Sequence, residues 1–164
     1  MSQLGEKLLT LHDSFKQADL EHAFGGAIAL AYCTRNPRGT SDIDVNVFVH
    51  ASDATNIIPA LPPVIAVNDT QLQQMLCNGQ TRLFWHETPI DIFLNTDPFH
   101  EYACQHTTKV PFEGAQIPVL NAEPLAVFKA MFNRPKDWVR LPWGDAVRAL
   151  IRRGAERLLW LLAA

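Results

Sequence analysis

The sequence predicts an α/β (α+β) domain in which a central sheet is covered by helices. Stretches with apolar residues three and four apart alternate with short runs of β-branched and aromatic residues. Two of those runs, around Ile43 to Val49 and Ile90 to Leu94, are apolar on nearly every residue, as in strands buried on both faces. Turn signals such as Gly25-Gly26, Asn36-Pro37 and Pro62-Pro63 separate the segments. The 164 residues are enough for one domain with a real core and too few for two, so 1–164 is expected to be a single domain with an atypical helical tail from about 139. Hydrophobic residues make up 48% and charged residues 19%, which excludes a disordered chain.

In chain order, Leu4, Leu8, Leu11, Phe15 and Ala18 give residues 3 to 20 the spacing of an amphipathic helix, with His12 and Asp13 on its solvated side. A short strand near His22 to Phe24 runs into Gly25-Gly26, a pair that permits a tight turn and close approach of backbone to a ligand. The helix that follows, about Ala27 to Tyr32, aims free N–H groups and its positive dipole end at that space. Further on come a helix near Ser52 to Leu61, a break at Pro62-Pro63, and a helix near Thr70 to Asn78 closed by Gly79. TRLFWHETPIDIFLN forms two strands joined at Glu87–Pro89, with His86 and Glu87 a hydrated turn pair. VPFEGAQIPVL forms a hairpin turning at Glu113–Gly114. EPLAVFKAMFNRP forms a helix with Pro124 in its first turn and a stop before Pro135.

The chemistry centres on SDIDVNVFVH. Residues i and i+2 of a strand share a face, so Asp42 and Asp44 project together while Ile43, Val45, Val47 and Val49 line the other side. Two carboxylates about 4 Å apart repel by roughly 4 kcal/mol at an effective dielectric near 20. One takes up a proton, a cation sits between them, or the pair faces solvent at the mouth of the strand, which relaxes the cost. Asp91, inside the apolar run of TPIDIFLNT, is expensive to bury alone. A neighbouring strand placing it beside Asp42 and Asp44 would make three oxygen donors for a hard cation such as Mg²⁺. HEYACQH does not make a zinc site, because Cys104 stands where the second histidine of HExxH belongs.

The series GG, SDID and a lone Asp in an apolar strand resembles the nucleotidyltransferase fold of the DNA polymerase β superfamily. More narrowly, from Phe24 to Trp138 and including PVLNAEPLAVFKAMFNRPKDW, the chain is similar to the AbiEii-type nucleotidyltransferases, toxins of bacterial toxin–antitoxin systems. The resemblance implies a mixed sheet flanked by helices, and an NTP, ATP among the candidates, as donor. It implies catalytic and metal roles for Asp42, Asp44 and Asp91, with two Mg²⁺ about 3.5–4 Å apart. The Gly25-Gly26 backbone, Arg38 or Arg35, Ser41 and Lys129 would hold the triphosphate, with Asp137 a weaker acidic candidate. Without the resemblance, the loop arginines read as solvated and Lys129 as a lysine whose stem covers apolar surface. Gly26 stands where many relatives carry Ser, so that phosphate contact is lost. After Trp138 the likeness fails.

The net charge of −3 is not that of a DNA-coating protein. Seven of the fourteen basic residues lie beyond position 133, including Arg134, Arg140, Arg148, Arg152, Arg153 and Arg157, a cluster that would suit an RNA acceptor or simply form solvated helix surface. Cys33, Cys77 and Cys104 form no CxxC pair, which fits a reducing cytoplasm. No stretch reads as a signal peptide or membrane span. The expected activity is transfer of an NMP to a hydroxyl of RNA, a protein or a small molecule, with a cognate antitoxin implied by the family. The competing readings are an inactive binding or regulatory protein of the same fold, and a carboxylate–metal hydrolase.

Overall fold

The computed structural model describes residues 2–37 and 39–132. Arg38, and the expectations placed on Arg134, Asp137, the later arginines and the tail from 139, lie outside the described residues. The elements are α1 (Gln3–Gln17), β1 (His22–Phe24), α2 (Gly26–Thr34), β2 (Ile43–His50), a 3₁₀ helix (Ala51–Ala60), α3 (Asp69–Asn78), β3 (Gln80–Trp85), β4 (Thr88–Asn95), α4 (Phe99–Gln105), β5 (Thr107–Phe112), β6 (Ala115–Leu120) and α5 (Ala122–Phe132). Six strands form one mixed sheet in the order β3-β4-β2-β1-β6-β5. β2 and β4 run parallel, as do β1 and β6, while the β1–β2, β3–β4 and β5–β6 pairs are antiparallel. The mixed α/β architecture agrees with the sequence expectation.

Local chemistry accounts for the element ends. Ser2 caps α1 by accepting from the Gly5 N–H, and Asn68 with Gln71 forms a reciprocal capping box on α3. Asp53 has non-helical backbone angles and kinks the 3₁₀ segment Ala51–Ala60, and Pro59 lies near its end, where helical spacing alone predicts a regular helix. The β3–β4 hairpin closes at Trp85–Thr88, so its loop is His86–Glu87 and not Glu87–Pro89. His86 takes the positive φ that such a tight loop requires. The β5–β6 turn sits at Glu113–Gly114, as expected.

The core lies between the sheet and α1, the 3₁₀ helix and α3. Leu8, Leu11, Phe15, Val45, Val47, Ile57, Met75, Ile90 and Ile92 are fully buried in one cluster. Phe15 meets His22 at 5.2 Å, and His22 pairs with Val47, which puts α1 on the Ile43–Val45–Val47 face. Lys7 is buried in α1 and donates to the Trp85 carbonyl and to Thr88 Oγ1, tying that helix to the β3–β4 loop. On the opposite face α2 packs on β2 and α5. No helix among the described residues is long and apolar enough to cross a membrane.

Candidate active site

Three adjacent strands bring the carboxylates to one face of the sheet. The parallel β2–β4 register sets Asp44 directly beside Asp91, and the antiparallel β3–β4 register sets Arg82 beside Asp91. Partners in register share a face, so the three side chains stand in one row across the sheet. Asp42 lies one residue ahead of β2, where the sequence expectation had it inside the strand. It still shares the face, because Arg82 Nη2 lies 4.0 Å from Asp42 Oδ2 and 2.6 Å from Asp91 Oδ2. Thr40 fixes Asp42 by donating its hydroxyl to Oδ1 at 2.7 Å.

Arg82 answers the question of how a carboxylate is kept in an apolar strand. Its Nε and Nη2 donate to the two oxygens of Asp91 at 2.7 and 2.6 Å, a bidentate fork. The Asp91 side chain is 11% exposed, whereas those of Arg82 and Asp42 are 46% and 37% exposed. Hydrogen bonding to Asp91 first, and then the charges of Asp91, Asp42 and Asp44, hold the Arg82 guanidinium above its usual range against the opposing effect of burial. Sequence reasoning missed Arg82. The signal was there: counting back from the Trp85–Thr88 closing pair leads to Arg82 opposite Asp91.

The Gly25-Gly26 turn presses on the same carboxylates. The Gly25 N–H donates to the Asp44 carbonyl at 2.9 Å. Gly26 has φ +51°, and a Cβ placed there would come within 1.9 Å of Asp44 Oδ2. Both the backbone conformation and the space therefore require glycine at 26, which explains why no serine stands there. Ser41 is exposed beside Asp42, and Lys129 is half-buried on α5, the helix that packs against α2.

The register brings Asp44 beside Asp91, with Asp42 on the same face. Among the described residues, no group of three or more His, Cys, Asp or Glu side chains is arranged to hold a metal ion. Both Asp91 oxygens accept from Arg82, one hydrogen bond each. Asp42 and Asp44 do suit Mg²⁺, which is held by one or two carboxylates with waters and substrate phosphates.

A second polar region lies toward the other end of β2. His22 Nδ1 sits 2.8 Å from the Leu20 carbonyl, so its ring carries hydrogen there and Nε2 accepts from His12 Nδ1, also at 2.8 Å. His12 is thus half-buried and paired, not on a solvated helix side as its spacing indicates. Burial lowers the pKa of both rings. Nearby the Cys104 thiol donates to Glu21 and is pushed up to about 12, chiefly by burial and then by that carboxylate, which leaves it inert as a nucleophile. A cavity of about 390 Å³ opens here between α1 and β5. His100, of the HEYACQH stretch, turns inward onto Phe128 at 5.0 Å.

No family model and no curated protein sequence matches the chain. Solved structures do match in fold. The antibiotic-resistance factor ANT(2'')-Ia, in solution, superposes with a TM-score of 0.59 at 10% identity over 94% of this chain and 84% of its own. The same factor in complex with adenylyl-2''-tobramycin gives 0.58 at 11% identity, covering 96% and 90%. The lincosamide antibiotic adenylyltransferase LnuA, bound to lincomycin, gives 0.52 at 14% identity, covering 92% and 95%. The chain has the nucleotidyltransferase fold.

Proposed function

We propose that this chain is a nucleotidyltransferase that moves an NMP from an NTP to a hydroxyl acceptor and releases pyrophosphate. The observation that carries the reading is the placement of Asp42 and Asp44 under the Gly25-Gly26 turn, beside Asp91, on a sheet of this fold. Transfer needs a place for a polyphosphate next to carboxylates that can act on an attacking oxygen. The backbone at Gly25 and Gly26, where α2 begins, offers N–H donors and the positive end of a helix dipole. Arg38, Ser41 and Lys129 are the side chains assigned to the triphosphate. In the reaction the acceptor hydroxyl oxygen attacks the α-phosphorus in line and passes its proton to a neighbouring aspartate carboxylate, the bond to the bridging oxygen breaks, and pyrophosphate leaves. Asp42 and Asp44 orient the reacting groups, and Asp91 with Arg82 sets the charge beside them. Mg²⁺, when bound with the triphosphate, would neutralise phosphate charge and make the acceptor hydroxyl more acidic.

The acceptor divides the proposal. An RNA acceptor rests on the arginines from Arg134 to Arg157, and the AbiEii-type toxin reading with its antitoxin rests on the motifs between Phe24 and Trp138. A small-molecule hydroxyl is the alternative suggested by the fold neighbours solved with adenylyl-2''-tobramycin and with lincomycin. Incubation with each α-labelled NTP and Mg²⁺, against total RNA, total protein and a panel of aminoglycosides and lincosamides, tests all three. Label on one acceptor class is the expected result; no label on any, with NTP bound, would favour an inactive binding protein.

A further inference from the structure

Arg82 and Asp91 stand where a two-cation centre would need an open carboxylate. The fork is built by the sheet, since the two residues are direct partners across β3 and β4 and neither side chain has to reach. It uses both Asp91 oxygens, and Asp91 lies deeper than Asp42. Mg²⁺ dehydrates reluctantly and keeps several waters, for which an 11% exposed carboxylate leaves little room.

We infer that Arg82 supplies, as a fixed guanidinium, the positive charge that a second divalent cation would bring to Asp91. Asp91 is then an ion-pair anchor in this chain and not a metal ligand. The inference rests on reading Asp42 and Asp44 as a nucleotidyltransferase centre, and it makes that centre a one-cation site. Arg82 is a positioning residue: it acts on the reaction by holding Asp91 occupied and by standing 4.0 Å from Asp42.

The test counts cations without turnover. The full chain is dialysed against Mn²⁺ and each of the four α,β-methylene NTP analogues, and bound Mn²⁺ is measured per chain, with electron paramagnetic resonance reporting spin coupling between neighbouring ions. No more than one Mn²⁺ per chain and no spin coupling is expected. Asp44→Asn should weaken Mn²⁺ binding at least tenfold, and Asp91→Asn, checked for native circular dichroism, should weaken it clearly less. Two coupled Mn²⁺ ions on the wild-type chain would overturn the inference, and so would a loss in Asp91→Asn as large as that in Asp44→Asn. The wild-type count stands even where a variant fails to fold. Failure of the transfer reading is separate: no label transfer with a single Mn²⁺ retained would sink transfer alone, and transfer with two coupled ions would sink only the role given to Arg82.

Discussion

Two polar regions are built into this sheet, and they keep buried ionisable groups by opposite means. Beside the start of β2, Asp91 of β4 is matched by a guanidinium, with Asp42 and Asp44 next to it. Toward the other end, His12 and His22 are kept neutral, each ring's tautomer set by the next acceptor along a chain ending at the Leu20 carbonyl. A charged cluster retains a field that acts on a polyanionic substrate. A neutral chain retains only hydrogen bonds. Under the proposed function the first is the place for phosphate chemistry, while the second packs α1 on β1.

The comparison breaks most severely at Arg82. Arg82→Ala leaves a carboxylate that is 11% exposed without its partner. The expected loss is about 2–3 kcal/mol by urea unfolding, less than the ~3–5 of a fully buried pair because the Arg82 side chain is itself half in solvent. A loss under about 0.5 kcal/mol would show that water already satisfies Asp91. Gly26→Ala comes next. The left-handed conformation alone costs about 1–2 kcal/mol, and the collision with Asp44 adds to it. Weakened NTP binding should accompany the lowered stability, measured on one preparation by thermal shift and nucleotide titration. Lys7→Ala removes donors to Trp85 and Thr88 and should cost roughly 1.5–3 kcal/mol, with no change in NTP affinity.

The smallest effect belongs to the histidines. His12, His22 and His100 all have pKa values lowered by burial. The unfolded chain therefore binds protons more readily than the folded one. Their contribution to stability is complete above about pH 6.5 and is lost as pH falls below that value toward the lowered folded pKa values. Melting temperature should decline on acidification through this window, and His22→Phe should flatten the decline. An unchanged slope in His22→Phe would mean that the His12–His22 pair stays hydrated.

These contrasts also show what was legible in the residues themselves. The strand pattern of β2 and β4, the Gly25-Gly26 turn and the Asp42–Asp44 pair could be read because period-two alternation and glycine carry direct conformational meaning. Arg82 could not be read from its own strand, where it looks like any solvent-facing residue between Thr81 and Leu83. Its role depends on cross-strand register, and placing the hairpin loop at Glu87–Pro89 instead of His86–Glu87 hid it. His12 was misplaced for a related reason. Helical spacing puts it off the apolar stripe, and only the packing of α1 against β1 reveals a polar partner waiting at His22. The three-carboxylate row followed from strand alternation and the cost of burying Asp91 alone, whereas the arginine that pairs with Asp91 follows only from register.

The most direct test of the central claim follows the phosphates of an NTP carrying labels at both the α and γ positions, using the acceptor class identified by labelling. The wild-type chain should place the α-label on the acceptor and release the γ-label as pyrophosphate. Asp44→Asn, with its backbone bond from Gly25 intact and one negative charge removed, should fold normally and transfer at least a hundredfold more slowly. Release of the γ-label as inorganic phosphate, or transfer undiminished in Asp44→Asn, would contradict the account.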